Sequence, residues 1–183
     1  MSTLLAPAFG VAPLARALLE DPVAFLSAEH GRQMALLSHL ERLVRAPAAR
    51  GARVMAQALL RWLGDELPLH IADEECSLYP RLRALDQGGT LDRLSADHRR
   101  DARLAATTMG ALRRMAAGEE AGQRELDAAV EFARLHRRHL ELEEATIMPL
   151  ARDGLSAETK ASLAREMATR RGLAGGDTCP TAP

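Results

Sequence analysis

Residues 70–80 read HIADEECSLYP, and residues 139–149, 69 positions later, read HLELEEATIMP. Both stretches place a histidine four residues before the first of two adjacent glutamates, and both end on a proline. A second matching pair precedes them: residues 26–30 read LSAEH and residues 94–98 read LSADH, 68 positions apart. The chain therefore contains two copies of one unit, in which a segment with a single histidine precedes a segment with the longer motif. We refer to them as the first copy and the second copy.

The composition of the chain favours helices. Of its 183 residues, 47% are hydrophobic but only 3% are aromatic, so a core must be built from Leu, Ala, Met and Val. Apolar residues recur with helical spacing between breaks that are rich in glycine and proline. This pattern predicts helices over about residues 22–45, 52–85, 91–117, 120–152 and 156–171. Because proline lacks a backbone N–H, Pro68 is expected to kink or break the second helix.

Short loops between these segments make neighbouring helices antiparallel. The predicted fold class is all-α: an up-down-up-down four-helix bundle with a short fifth C-terminal helix. We expect four parts along the chain, namely an N-terminal segment, the bundle, the C-terminal helix and a disordered tail, over residues 1–20, 21–154, 155–172 and 173–183.

Charge and hydropathy exclude several partner classes. With 24 Lys+Arg and 25 Asp+Glu, the formal net charge is −1, which argues against binding nucleic acid or anionic lipid by charge alone. The first residues carry no basic side chain before Arg16 and include Pro7 and Pro13, a pattern typical of neither a signal peptide nor a membrane span. The sequence therefore predicts a cytoplasmic protein with no nucleic-acid or membrane partner, and it leaves the oligomeric state open.

Six side chains of the two copies are expected to point into the centre of the bundle. Burying imidazoles and carboxylates without partners is costly, and a metal resolves that cost. A histidine and a glutamate four positions apart lie one turn apart on a helix, so both can reach one cluster. Six donors are too many for one tetrahedral zinc, but they suit two ions that share two glutamates and keep open positions. The candidate ligands are His30, His70, Glu74, His98, His139 and Glu143.

The duplicated pattern, with its EExxLYP and EExxIMP tails, resembles the hemerythrin-like (HHE cation-binding) domain family over about residues 20–152. The resemblance implies a four-helix bundle with an oxo- or hydroxo-bridged pair of iron ions, held by the same six side chains. Manganese and zinc are the alternative metals.

Two departures from the oxygen-carrying hemerythrins bear on function. Those proteins have a fifth histidine where this chain has Ala102, and an aspartate where it has Glu143. The four-histidine, two-glutamate set is more similar to a bacterial branch tied to repair of iron–sulfur clusters, and to domains that sense iron or oxygen. We expect Ala102 and Ala105 to leave an apolar pocket beside the metals, of a size for dioxygen, peroxide or nitric oxide.

The sequence is compatible with three functions. The first is binding or sensing of a small ligand, which is dioxygen, nitric oxide or iron itself. The second is an enzyme that repairs iron–sulfur clusters or turns over peroxide or nitric oxide. The third is a bundle that stores metal or uses it structurally. The sequence favours a metal-binding or sensing protein over a dedicated enzyme.

Four residues near the candidate ligands are not expected to bind metal. Glu75 and Glu144 are expected to be rotated away from the site and solvated, since each follows a ligand by one position. Tyr79 is expected on the opposite side of its helix from His70, which argues against a redox role. His136 is interpreted as a surface residue or a neighbour of the ligands rather than as a ligand.

Overall fold

Five helical stretches make up most of the described part of the chain, residues 13–14 and 16–173, in a computed structural model. After a 3₁₀ turn at Arg16–Glu20, the helices are α1 (Pro22–Arg45), α2 (residues 52–82), α3 (Thr90–Ala117), α4 (Gln123–Gly154) and α5 (Ala157–Arg170). No described residue lies in a strand, so the all-α class is confirmed. The alternating direction of the helices and the boundaries of the four parts stay predictions. Residues 174–183 of the predicted disordered tail lie outside the described residues.

The beginning of α1 follows from local chemistry. The Asp21 carboxylate accepts hydrogen bonds from the backbone N–H groups of Val23 and Ala24, at 3.1 and 3.0 Å, and Pro22 occupies the first helical position. These contacts satisfy two of the N–H groups that a helix leaves unpaired at its start. The predicted start of the first helix is therefore correct.

Helix α2 is continuous but not uniformly α-helical. Two π-helical turns, Trp62–Glu66 and Glu74–Leu78, separate its three α-helical segments, Ala52–Arg61, Leu67–Asp73 and Tyr79–Leu82. The helix is therefore not broken at Pro68, while the predicted kink stays a prediction: a π turn that ends at Glu66 lies two residues before the proline. The wider turn changes the hydrogen-bond pattern, so the missing N–H of proline and the bulk of its ring do not end the helix.

The helices pack so that a polar layer divides the apolar core. Helix α4 contacts both α1 and α3, α2 contacts α3, and α5 lies against α1 and the middle of α2. One apolar cluster includes Trp62 and Phe132, and the other includes Leu26, Tyr79 and Met148. The candidate ligands lie between these clusters on the four long helices, so apolar packing covers them from two sides. Among the described residues, no helix is long and apolar enough to span a membrane.

Candidate metal centre

The structure brings all six candidate ligands together in the polar layer, and each is at most 5% exposed. They form two groups that share two carboxylates. The first donor group is His30, His70, Glu74 and Glu143, and the second donor group is Glu74, His98, His139 and Glu143. In each group, one donor atom per residue lies within 4.8 Å of all the others. Glu74 and Glu143, the shared carboxylates, therefore lie between two sets of imidazoles.

Helices α2 and α4 each contribute a histidine and a glutamate from one face. The Nε2 atom of His70 lies 3.0 Å from Oε1 of Glu74, and Nε2 of His139 lies 3.2 Å from Oε2 of Glu143. Both pairs are four positions apart, which places their side chains one helical turn from each other. The same local geometry thus supplies two donors to the centre from each copy.

Helices α1 and α3 contribute one histidine each. Nε2 of His30 lies 3.3 Å from Oε1 of Glu74, and Nε2 of His98 lies 3.3 Å from Oε2 of the same carboxylate. The two imidazoles of the first donor group have ring centroids 4.9 Å apart, and those of the second group are 4.4 Å apart. Oε1 of Glu74 therefore faces His30 and His70, whereas Oε2 faces His98.

The donor set fits a cation. A buried polar atom without a hydrogen bond costs about 1–3 kcal/mol, so native proteins rarely keep several together. Within the described part of the chain, five donor atoms of the centre are buried without a hydrogen-bond partner: Nε2 of His70, His98 and His139, and Oε2 of Glu74 and Glu143. Imidazole nitrogen and carboxylate oxygen are ligands that iron, manganese and zinc accept. The arrangement therefore suits two cations at the centre.

The second glutamate of each repeated motif orients an imidazole on a neighbouring helix. Glu144 Oε1 lies 2.6 Å from Nδ1 of His30, and Glu75 Oε1 lies 2.7 Å from Nδ1 of His98. Each carboxylate also accepts from a serine three residues before that histidine: Ser27 at 3.3 Å and Ser95 at 2.9 Å. The prediction that Glu75 and Glu144 are rotated away from the site is corrected, since each carboxylate pairs with a candidate ligand; the predicted contact with solvent remains, with side chains 31% and 41% exposed. A turn of about 100° from the ligand on their own helix brings them to the edge of the next helix, where they remain partly exposed to solvent.

Tyr79 is also part of the centre. Its hydroxyl donates a hydrogen bond to Glu143, and its ring stacks on that of His98 with centroids 6.0 Å apart and planes 6° apart. The prediction that Tyr79 lies opposite His70 is wrong because it assumes a regular α-helix. The π turn Glu74–Leu78 accommodates one extra residue, which rotates the following residues by about 100°.

Residues 21–151 match the family model described as the hemerythrin HHE cation binding domain. The chain belongs to this hemerythrin family. The family predicted from the duplicated motif is thereby confirmed, while the bacterial di-iron branch stays a prediction. No curated protein and no solved structure matches the chain significantly.

This hemerythrin domain carries a buried polar cluster next to its second donor group. The ring of His136 stacks on that of His139, with centroids 5.6 Å apart and planes 8° apart. Its Nδ1 lies 3.3 Å from Oδ2 of Asp101, and its Nε2 lies 2.8 Å from the side-chain amide of Gln33. Burial lowers the pKa of His136 to about 4, although the hydrogen bond to Asp101 acts to raise it. His136 is therefore a neutral neighbour of a candidate ligand and belongs to neither donor group.

The pocket expected beside Ala102 and Ala105 is not formed by these residues. Ala102 is exposed, and Ala105 is packed into the apolar cluster that contains Trp62. Helix α3 instead turns Asp101 inward, since that carboxylate pairs with the buried His136 of α4. The hypothesis of a ligand pocket at Ala102 is therefore wrong.

Without a metal, protons take the place of cations at the centre. Burial acts to lower the pKa of His30, but hydrogen bonds to Glu144 and Glu74 outweigh it and raise the pKa to about 9. Burial likewise opposes protonation of His98, but the Glu74 carboxylate nearby and the hydrogen bond to Glu75 raise its pKa to about 10. The pKa of Glu74 lies well below its usual range, despite burial, because imidazoles surround it. In the metal-free centre Glu74 thus stays ionised beside protonated His30 and His98, and metal binding must displace those protons.

Arg170 at the end of helix α5 and Arg171 after it connect to the centre through a network of ion pairs. Asp73 is completely buried; its carboxylate lies 2.6 Å from Arg170 Nη1 and 2.5 Å from Arg171 Nη1. Arg171 Nη2 is also 3.5 Å from both carboxylate oxygens of Glu29. Oε2 of Glu29 in turn lies 3.0 Å from Nδ1 of His70. No sequence pattern predicts this chain of contacts, because the residues that form it are 41 to 142 positions apart.

Proposed function

We propose that this protein holds two iron ions with His30, His70, Glu74, His98, His139 and Glu143, and that it binds or senses a small ligand there. The observation that supports this proposal best is the pair of donor groups that share two carboxylates and contain five unpartnered donor atoms. Family membership favours iron, whereas the same nitrogen and oxygen donors also suit manganese or zinc.

The number of protein donors supports a ligand-binding role. Each donor group offers two imidazole nitrogens and two carboxylate groups, which gives four protein donors for each ion. An ion that accepts five or six ligands would keep open positions for dioxygen or nitric oxide. When bound, iron would supply those positions and the electrons for redox chemistry.

The residues around the donors would tune that chemistry. Glu75 and Glu144 accept from the Nδ1 atoms of His98 and His30, which leaves Nε2 of each imidazole free to bind a cation. The apolar clusters on both sides exclude water, which strengthens electrostatic interactions inside the centre. The chain thus provides fixed donors in a dry environment, as a selective small-ligand site requires.

One observation favours an enzyme as the second candidate. The Tyr79 hydroxyl is a proton donor held at Glu143, within the centre itself. Reduction of peroxide or nitric oxide by an external electron donor consumes protons as well as electrons, so a phenol at this place would serve such a reaction. Tyr79→Phe separates the two candidates: it should leave binding of a diatomic ligand intact and slow any turnover.

Metal analysis and gas reactions test the proposal. We expect about two ions per chain after anaerobic loading with Fe²⁺, and loss of this uptake in Glu74→Gln. The loaded chain is then mixed with dioxygen, nitric oxide or peroxide and followed by optical spectroscopy. A stable adduct would support binding or sensing, and repeated consumption of the added molecule would support the enzyme. Inertness toward all three would favour storage or a structural role, and a chain that takes up no metal would contradict the proposal.

A further inference from the structure

The two donor groups differ in the hydrogen-bond partners of their outer nitrogens. The outer nitrogen of each imidazole is Nδ1, the ring nitrogen that does not face the shared carboxylates. In the first group, Nδ1 of His30 and of His70 each face a carboxylate, Glu144 at 2.6 Å and Glu29 at 3.0 Å. In the second group, His98 has such a partner at 2.7 Å. Nδ1 of His139, by contrast, is buried without a hydrogen-bond partner in the described part of the chain.

The repeat locates the origin of this difference. Glu29 directly precedes His30 in the first copy, and Asp97 directly precedes His98 in the second. The Glu29 carboxylate reaches His70, whereas the Asp97 carboxylate, on a side chain one methylene shorter, accepts a hydrogen bond from Arg100 at 2.7 Å. One substitution between the copies thus accompanies the loss of an outer partner for one imidazole.

A second difference reinforces the first. Glu29 is held in place by Arg171 of the C-terminal segment, which also pairs with the buried Asp73. The position that corresponds to Asp73 in the second copy is Leu142, so this anchor is specific to the first copy. On the other side, the ring of His136 stacks on that of His139, whose Nδ1 meets no carboxylate among the described residues.

We propose that the two metal positions differ in affinity, so that the chain binds its first ion between His30 and His70 and its second between His98 and His139. This inference rests on the proposed function, since it assumes that both donor groups bind metal. A carboxylate on the outer nitrogen fixes the tautomer of a ligand imidazole and increases its basicity, and losing such a partner typically costs about 10–100-fold in metal affinity. The shared carboxylates contribute to both positions and do not distinguish them.

The test is a titration of the metal-free full-length chain with Co²⁺, followed by visible absorbance and by calorimetry. We expect two steps whose dissociation constants differ by about 10–100-fold. Glu29→Gln should weaken the tighter step by about tenfold or more and leave the weaker step nearly unchanged. Asp97→Asn is the matched control: it alters the equivalent residue of the second copy, whose carboxylate pairs with Arg100 rather than with an imidazole, and should move neither step.

A variant of the weaker position assigns the steps. His139→Gln should remove the weaker step and retain the tighter one, with melting of each metal-free variant measured to compare folding. Two equal steps, loss of the tighter step in His139→Gln, or equal shifts of both steps in Glu29→Gln would each overturn the inference and leave two-metal binding intact. A chain that binds no Co²⁺ at all would instead contradict the proposed function.

Discussion

The two copies of the motif supply similar donors, but their surroundings differ. In the first copy, a π turn brings Tyr79 to the centre, and Glu29 holds the outer nitrogen of His70. In the second copy, the residue equivalent to Tyr79 is Met148, which packs into an apolar cluster, and Nδ1 of His139 has no hydrogen-bond partner among the described residues. The donor set is thus close to symmetric, while the groups that tune each donor are not.

Proline alone does not explain the difference in backbone. Both motifs end on a proline, Pro80 in α2 and Pro149 in α4. Pro149 lies within a helix that is α-helical throughout, whereas a π turn precedes Pro80. The π turn of the first copy is therefore a property of α2 in its packed environment, and it has a direct consequence because it sets which side of the helix Tyr79 occupies.

The largest effect on metal affinity is expected from a change in a carboxylate that both donor groups share. Glu74→Gln changes a carboxylate that both donor groups share, so both metal positions should weaken by more than the roughly 100-fold that loss of an outer partner costs. His98→Ala changes a donor of one group only and should leave the first position occupied. Metal content after loading and desalting, measured by mass spectrometry, distinguishes zero, one and two ions per chain.

The control for this prediction is Glu141→Gln. Glu141 lies on α4, two residues before Glu143, but its side chain is exposed. Its metal content should equal that of the unmodified chain. Retention of one full ion in Glu74→Gln would show that the two groups do not share this carboxylate.

The next effect concerns protons and involves both copies equally. The pKa values of His30 and His98 rise from 6.5 to about 9 and about 10 in the metal-free fold. A raised histidine pKa stabilises the fold fully below pH 6.5, and this stabilisation is lost as the pH rises through about 9 and 10. The melting temperature of the metal-free chain should therefore fall between pH 7 and pH 10.

Metal binding should show the opposite trend. Because an ion must displace these protons, its affinity should increase by up to about tenfold per pH unit for each proton released. Melting curves with and without Zn²⁺ at pH 6, 7, 8 and 9 should therefore move apart as the pH rises. If the melting temperature of the metal-free chain increased between pH 7 and pH 9, this would contradict the assignment of protonated imidazoles.

The convergence of the six side chains could be predicted from sequence because the chain contains the pattern twice. Helical spacing places the histidine and the glutamate of each motif on one face of a helix. A single such pair is equally typical of an exposed helix, but its occurrence twice at matching positions indicates a shared site. The role of Glu75 and Glu144 was missed because spacing on one helix says nothing about the neighbouring helix. The position of Tyr79 was missed because no residue type marks the π turn before it, as the regular helix around Pro149 illustrates.

A smaller effect is expected from making the second copy resemble the first. His136 corresponds to Leu67 in the repeat, so His136→Leu restores an apolar residue at that position. It leaves Oδ2 of Asp101 and the amide oxygen of Gln33 without the His136 partner, which should lower the free energy of unfolding by about 1–3 kcal/mol. Urea unfolding of the metal-free chain measures this loss.

The companion variant separates polar loss from poor packing. Adding Asp101→Leu to His136→Leu removes one of the unsatisfied groups and should recover part of the stability. If Asp101→Leu lowers the free energy of unfolding of His136→Leu further, as an independent core substitution would, then the contact between His136 and Asp101 does not account for the loss of stability.

The smallest effect concerns the helix that opens each copy. Asp21 accepts two backbone hydrogen bonds at the start of α1, and Asp86 accepts two from Thr90 and Leu91 at the start of α3. Replacing either with alanine should cost about 1 kcal/mol of unfolding free energy, as loss of a helix cap usually does. Neither change should alter Co²⁺ affinity, because the first histidine of each copy lies at least two helical turns further along. A cost at Asp21 alone would mean that the copies share their donors but not the local interactions that begin their helices.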